Sequence, residues 1–84
     1  MHYVYIVRCQ NEALYTGYTT NVIGRVKKHN SGTGSRSVVA HGLPVKLVYI
    51  ESFGTKSEAL KREIAIKKLS RTHKENLIKK YRRG

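Results

Sequence analysis

The sequence predicts an α+β fold with a small, three-stranded, mainly antiparallel sheet flanked by helices, in the order β-β-α-β-α-α. Three features predict it. Two short runs rich in aromatic and β-branched residues are joined by a polar turn, a third apolar run follows a glycine-rich stretch, and the C-terminal third has helical spacing. Because 84 residues suffice for one core, residues 1–84 are predicted to form a single domain.

The first two strands are predicted to form a β-hairpin. Residues 2–9 (HYVYIVRC) and 13–18 (ALYTGY) have strand composition, and the polar tripeptide between them favours a turn. Side chains alternate between the two faces of a strand, so a register that pairs Tyr5 with Gly17 would place Tyr15 on the same face as Tyr5. A slip of one residue would separate the two phenols.

The remaining elements follow from helix start and stop signals. Val22 and Val26 form one edge of a predicted helix, and Gly32 provides its C-terminal stop. Thr55 and Glu58 match a capping box, in which the threonine caps the helix and a glutamate follows three residues later. The predicted segments are a helix at 20–31, a loop at 32–43, a strand at 44–53, a helix from 55 to about 69, and a helix at 72–81.

Positive charge is the strongest compositional signal. The chain has 17 Lys and Arg against 5 acidic residues, a formal net charge of +12, of which residues 55–84 carry +8. Excess like charge destabilises a compact fold, so this excess favours a polyanionic partner such as nucleic acid. An ordinary solvated surface is the alternative. The basic residues predicted to contact nucleic acid are Arg36, Lys67, Lys68, Arg71, Lys74, Lys79, Lys80, Arg82 and Arg83.

Cysteine and hydropathy patterns restrict the expected location of the protein. Cys9 is the only cysteine, so no intramolecular disulfide can form, which is typical of a reducing compartment. No run approaches the roughly 18 apolar residues that a membrane span needs. We therefore expect a cytoplasmic protein without a membrane partner, in which Cys9 packs in the core.

All five acidic residues are glutamates, and one of them has an unusual position. On a helical wheel, Glu63 lies within an apolar arc that includes Leu60, Ile64 and Ile66. A buried carboxylate needs compensation, which a single divalent cation such as Mg²⁺ would provide. The alternative is an ion pair with Lys67, one turn later. With so few carboxylates, a one-metal site is the most that the chain is expected to build.

Two further pairs of residues have chemistry that suits a phosphodiester substrate. Arg25 and His29 lie one turn apart on the first helix; a guanidinium binds phosphate oxygens, and an imidazole can accept a proton. Tyr5 and Tyr15 would stand beside Gly17, whose missing side chain would leave space for a phosphate and a metal. Both pairs also have ordinary interpretations, since helix residues often face solvent and sheet aromatics usually belong to the core.

The pattern as a whole resembles a known family. Val4-Tyr5-Ile6, followed by Leu14-Tyr15-Thr16-Gly17, resembles the two half-motifs of the GIY-YIG nuclease superfamily, and Arg25, His29 and Glu63 continue the resemblance. The resemblance spans nearly the whole chain. It is strongest to the stand-alone, single-domain bacterial branch, from segments such as YTGYTTN, RVKKHNSG and LKREIAIKKLS.

The resemblance implies a role for each residue of the set. Glu63 would hold one divalent ion, Mg²⁺ or Mn²⁺, and Arg25 would bind the scissile phosphate. Tyr5 and Tyr15 would orient or deprotonate the attacking water, with His29 as an auxiliary base or phosphate ligand. The implied fold is a three-stranded sheet flanked by helices, in agreement with the elements predicted above.

The implied function is metal-dependent endonuclease activity on DNA, in preference to RNA, such as on repair or recombination intermediates. A protein partner could supply specificity. The alternative is a non-catalytic module that binds DNA or structured RNA and retains the fold. Three positions depart from the family pattern. Tyr3 stands where the first half-motif has a glycine, and Thr16 precedes Gly17 where many members have a different residue. Gly24 stands where a second basic residue is common. Asn76 is the available candidate for a polar residue that supports the metal site.

Overall fold

The computed structural model describes the backbone of residues 1–83 and the side chains of residues 1–82. The predicted fold class is confirmed: a three-stranded antiparallel sheet is packed between helices. The elements are β1 (His2–Arg8), β2 (Leu14–Thr19), α1 (Val22–Asn30), α2 (Arg36–His41), β3 (Lys46–Phe53), α3 (Lys56–Lys67) and α4 (Arg71–Arg83). No helix within residues 1–83 is both long and apolar enough to cross a membrane.

Strand β1 is the central strand, with β2 and β3 at the two edges and both pairings antiparallel. Tyr5 pairs with Gly17 and Val7 pairs with Tyr15, so the hairpin has the first of the two registers considered and not the one shifted by one residue. Tyr5 and Tyr15 therefore share one face of the sheet.

Each face of the sheet is covered by its own pair of helices, and the two cores contain different residues. On the face that we call the α1–α2 face, Tyr5, Val7 and Cys9 are buried with Val38 of α2, and Tyr15 and Val26 of α1 pack against them. The α3–α4 face is buried by the following residues of the sheet and of α3 and α4: Val4, Ile6, Tyr49, Ala59, Ile66 and Ile78. The thiol of Cys9 is free and buried, as its predicted packing role requires.

Local side-chain caps begin two of the helices, and the sequence predicts one of them. The side chain of Thr55 accepts a hydrogen bond from the backbone N–H of Glu58 (3.2 Å), which confirms the capping box at the start of α3. At α1, the side chain of Asn21 accepts from the backbone N–H of Gly24 (3.0 Å). Gly32 follows the end of α1 with φ of +84°, a conformation suited to glycine, in agreement with its predicted role as a stop.

Two predictions about secondary structure and packing were wrong. The predicted loop at 32–43 contains the short helix α2, because Val38 is fully buried between the sheet and this segment and its packing outweighs the turn-forming composition. Ile64 is 54 % exposed and does not belong to the buried side of α3, whose buried residues are Ala59 and Ile66. The apolar arc of α3 is therefore narrower than the helical wheel suggested, and Glu63 lies beside it.

Ion pairs attach α4 to the β1–β2 hairpin. The guanidinium of Arg8 donates two hydrogen bonds to the carboxylate of Glu75 (2.7 and 3.0 Å), an arrangement that holds the pKa of this carboxyl below its usual range. Arg71 donates to the backbone carbonyl of Glu12 (2.6 Å) at the hairpin turn. These contacts fix the position of the C-terminal helix relative to the strands.

Candidate active site

Three aromatic rings meet on the α1–α2 face of the sheet. Tyr5 and Tyr15 project from neighbouring strands with ring centroids 6.4 Å apart. His29 reaches them from α1, 6.0 Å from the ring of Tyr5 and 5.2 Å from that of Tyr15. The hairpin register and the position of α1 thus bring together three residues that are far apart in the sequence.

A buried hydrogen bond of 2.8 Å joins Tyr5 Oη and His29 Nε2. Tyr5 is 1 % exposed and His29 is 0 % exposed, so this pair lies in the core. The ordinary interpretation of His29 as a solvent-facing helix residue was therefore wrong. Tyr15 is half-buried, which leaves part of its phenol at the surface.

Burial and neighbouring charges keep Tyr5 and His29 neutral near pH 7. Burial raises the pKa of the Tyr5 phenol well above its ordinary value; the neighbouring Tyr15 phenol and the negative charge of Glu63 raise this pKa further, and Arg25 lowers it. Burial also lowers the pKa of the His29 imidazole, and the positive charge of Arg25 lowers it further. Arg25 does not overcome the effect of burial on Tyr5, so the phenol stays protonated near pH 7 and its phenolate is not available as a base.

Gly17 and Gly34 make close contacts that a larger residue would obstruct. A Cβ at Gly17 would lie 2.5 Å from Tyr5 Oη, and a Cβ at Gly34 would lie 2.5 Å from His29 Nδ1. The predicted space beside Gly17 for a phosphate and a metal is wrong, because the hydroxyl end of Tyr5 occupies it. Gly17 is buried and supports the Tyr5 ring.

Arg25 is half-buried on α1, one turn before His29. Its positive charge lowers the pKa of both the Tyr5 phenol and the His29 imidazole. Among the described residues, Arg25 forms no ion pair with a carboxylate. A guanidinium of this kind can bind an anion such as a phosphate without first breaking an internal pair.

Glu63 approaches the cluster from a different helix layer. Its helix, α3, packs against the α3–α4 face over β1 and the edge strand β2. The charge of Glu63 nevertheless acts on the Tyr5 phenol, so the carboxylate lies within electrostatic reach of the cluster. That Glu63 acts at the same site as the other four residues stays a prediction.

The sequence left two partners open for the Glu63 carboxylate, a divalent cation or the ammonium of Lys67. The side chain is 17 % exposed, and its carboxylate lies 3.4 Å from the ammonium of Lys67, so the intrahelical pair is present. Because Lys67 is half-exposed, a hard cation that keeps most of its waters would compete with its ammonium for the carboxylate. Residues 1–83 contain no group of three or more His, Cys, Asp or Glu that could hold a metal. A site that holds its cation with the single carboxylate of Glu63 stays a prediction.

The predicted nucleic-acid contacts fall on several surfaces. Arg71 is engaged with Glu12 and Glu75, and Lys67 with Glu63, so neither is a freely available cation. Lys74 is half-buried on α4. The exposed residues are Arg36 on α2, Lys68 just after α3, and Lys79, Lys80 and Arg82 on α4; the side chain of Arg83 lies outside the described residues.

A groove of about 680 Å³ on the C-terminal side is lined by Lys79, Lys80, Leu69, His73, Asn76 and Leu77. Asn76, the candidate for a polar residue that supports the metal site, is one of these lining residues, and its supporting role stays a prediction. Sequence reasoning also missed Gly34, together with Lys27 and Lys28, which are exposed on the helix that carries Arg25 and His29. The spacing of the two lysines beside Arg25 could have indicated them.

Two phenols and an imidazole thus meet on one face of a small antiparallel sheet, with a guanidinium one turn away on α1. The comparison of families agrees: the GIY-YIG catalytic domain matches residues 1–83. The chain belongs to this nuclease family, so the resemblance seen in the half-motifs is confirmed.

Relatives with similar sequences are small proteins of one group. The chain is 53 % identical over 78 residues to the UPF0213 protein CPE1444 of Clostridium perfringens, covering 93 % of this chain and 83 % of that protein. It is 52 % identical to the UPF0213 protein SH2523 of Staphylococcus haemolyticus, covering 92 % and 93 %. The solution NMR structure of protein EF2693 from E. faecalis matches with a TM-score of 0.66 at 43 % identity, covering 99 % of this chain and 88 % of that one.

Proposed function

We propose that this protein is a divalent-metal-dependent endonuclease that hydrolyses phosphodiester bonds in DNA. The observation that carries the proposal is the convergence of Tyr5, Tyr15 and His29 on one face, with Arg25 beside them and Glu63 within electrostatic reach. Membership of a nuclease family and a net charge of +12 support a nucleic-acid substrate.

Each residue contributes a separate capacity to the proposed site. Arg25 binds the non-bridging oxygens of the scissile phosphate, and its contact strengthens as negative charge develops there. Tyr15, which is half-exposed, orients the attacking water, and the neutral Tyr5 phenol supports this arrangement from the core. Glu63 would hold Mg²⁺ or Mn²⁺, which when bound supplies electrostatic stabilisation of the phosphate and its leaving oxygen.

Specificity is proposed to come from a partner protein or from the shape of the DNA, for example a branched repair or recombination intermediate. Residues 1–84 are proposed to act as one domain in the cytoplasm. The exposed lysines of α1 and α4 would contact phosphates on either side of the cleaved bond.

Cleavage by a Glu63→Gln variant tests the proposal. Purified wild-type and variant proteins are incubated with labelled linear and branched DNA and with RNA, in Mg²⁺, in Mn²⁺ and in chelator. We expect metal-dependent cleavage of DNA by the wild type and about hundredfold slower cleavage by Glu63→Gln, because the variant loses a metal ligand but little volume. Affinity for uncut DNA should be retained.

The matched control is Glu58→Gln, which makes the same change in the first turn of the same helix. Glu58 is exposed and belongs to the capping box, a position at which Gln also serves. This control should cleave as the wild type does. Binding without cleavage under every metal condition would contradict catalysis and leave a non-catalytic binding module; undiminished cleavage by Glu63→Gln would contradict the role of Glu63.

A further inference from the structure

Both ring nitrogens of His29 are covered, and each is covered by a different kind of group. Nε2 is hydrogen-bonded to the Tyr5 hydroxyl at 2.8 Å. Nδ1 is buried and has no hydrogen-bond partner within the described residues. Both nitrogens are therefore enclosed by the protein itself, Nε2 by the Tyr5 hydroxyl and Nδ1 by the segment that carries Gly34. His29 therefore acts on the site through Tyr5.

Gly34 is the residue that closes Nδ1. A Cβ built on Gly34 would lie 2.5 Å from Nδ1, 2.9 Å from the Cα of His29 and 3.0 Å from its backbone nitrogen. The Cα hydrogen that Gly34 carries in place of a side chain therefore points at Nδ1 of His29. With the proton on Nδ1, the unpaired donor would be an N–H that faces the carbon-bound hydrogen of Gly34. With the proton on Nε2, the unpaired donor is instead the O–H of Tyr5, whose ring neighbours the half-exposed Tyr15, and the Nδ1 lone pair faces a weak carbon-bound donor.

We infer that Gly34 and Tyr5 together fix His29 as the neutral tautomer with its proton on Nε2. In this tautomer, Nε2–H donates to Tyr5 Oη, and Nδ1 carries the lone pair beneath Gly34. The hydroxyl proton of Tyr5 is then directed away from His29. Tyr5 serves as a hydrogen-bond donor to an oxygen that enters beside the half-exposed Tyr15 and Arg25, and not as a base.

This inference revises the roles implied by family resemblance. His29 and Gly34 become positioning residues, and the pKa values of both His29 and Tyr5 agree with a neutral pair near pH 7. The catalytic consequence rests on the proposed nuclease function, because it requires a phosphate or water oxygen to accept from Tyr5. The tautomer itself is a property of the free protein and is independent of any activity.

Long-range ¹H–¹⁵N correlation spectra of the ¹⁵N-labelled protein at pH 7 test the tautomer directly. A His29→Gln variant assigns the His29 signals among those of the four histidines. We expect a protonated Nε2 and a bare Nδ1, which differ strongly in ¹⁵N shift. A proton on Nδ1, or on both nitrogens, overturns the inference even if the protein cleaves DNA.

A pair of glycine variants tests the positioning role. Gly34→Ala places a methyl group 2.5 Å from Nδ1, whereas a Cβ at Gly54 has no heavy atom within 4 Å, so Gly54→Ala is the matched control. We expect Gly34→Ala to disturb the His29 signals and to cut DNA about tenfold to hundredfold more slowly at saturating substrate. Wild-type His29 signals and a wild-type rate in Gly34→Ala would overturn the role of Gly34. If no variant and no wild-type sample cleaves, the proposed function fails while the spectra still decide the tautomer.

Discussion

The two faces of the sheet use polar side chains in opposite ways. On the α3–α4 face, charged groups are paired: Glu51 accepts hydrogen bonds from Tyr49 (2.7 Å) and Arg62 (2.9 Å), which links α3 to the sheet. On the α1–α2 face, His29 is buried with one nitrogen lacking a partner, and Arg25 has no carboxylate partner among the described residues. Unpaired polar groups are costly in a fold, so a buried imidazole with an unpaired nitrogen, close to an arginine without a carboxylate partner, indicates function on the α1–α2 face.

The same substitution on the two faces should separate function from stability. Arg25→Ala removes the proposed phosphate ligand and should slow DNA cleavage about hundredfold with little change in the free energy of unfolding. Arg62→Ala leaves Glu51 and Tyr49 without their cation and should lower the free energy of unfolding by about 1–2 kcal/mol. Cleavage per folded molecule should be unchanged in Arg62→Ala.

Cleavage rates at saturating substrate and urea unfolding curves measure the two effects. If Arg62→Ala slows cleavage as much as Arg25→Ala does, the two faces do not differ in function. If Arg25→Ala lowers the free energy of unfolding but leaves the cleavage rate per folded molecule unchanged, Arg25 has a structural role and not a catalytic one.

The hairpin and the aromatic cluster could be predicted because their determinants are local. Alternation along two strands and a short polar turn fix the register that places Tyr5 opposite Gly17. Helix α2 could not be predicted, since six residues of weak helical composition are held by the burial of Val38. The contact of Gly34 with His29 was also missed, because a close approach between a loop and a helix depends on tertiary packing.

The case of Glu63 shows a different limit. A helical wheel places Glu63 near the buried side of its helix, and the structure agrees, since the side chain is 17 % exposed. The wheel cannot say which face of the sheet the helix covers. It also cannot rank Ile64 against Ile66, of which one is exposed and one is fully buried. The direction in which α3 leaves β3 decides which face of the sheet the helix covers, and it also decides which of the two isoleucines is buried.

Two pairs of lysines, one on each side of the sheet, allow the contributions of the two sides to DNA binding to be compared. Lys27 and Lys28 lie on α1, and Lys79 and Lys80 on α4; all four are exposed. Each phosphate contact contributes about 0.9 to the slope of log K against log salt on duplex DNA. Changing either pair to Gln should therefore reduce the slope by about 2 if both lysines contact phosphates.

We expect the two double variants to differ in cleavage. The Lys27→Gln, Lys28→Gln protein should bind more weakly and cut more slowly at saturating DNA, because α1 also carries Arg25 and His29. The Lys79→Gln, Lys80→Gln protein should bind more weakly but reach the wild-type rate at saturation. Titrations at several salt concentrations check the slopes. An unchanged slope in the α4 variant would remove the C-terminal helix from the binding surface.

The smallest expected effect concerns an exception to the contrast between the faces. Thr16 is 4 % exposed on the α3–α4 face, and its hydroxyl has no partner within the described residues. Thr19 is 6 % exposed, but its hydroxyl accepts a hydrogen bond from the backbone N–H of Asn21 (3.1 Å), just before α1.

We expect the unpaired hydroxyl of Thr16 to lower stability without serving the site. Thr16→Val should then raise the free energy of unfolding by about 1 kcal/mol, and Thr19→Val should lower it by a similar amount. Thermal unfolding resolves this difference, since 1 kcal/mol shifts Tm by roughly 4–8 °C in a domain of this size. Loss of stability in both variants would mean that the Thr16 hydroxyl is satisfied in solution, whereas slower cleavage by a stabilised Thr16→Val protein would extend the functional region through the sheet.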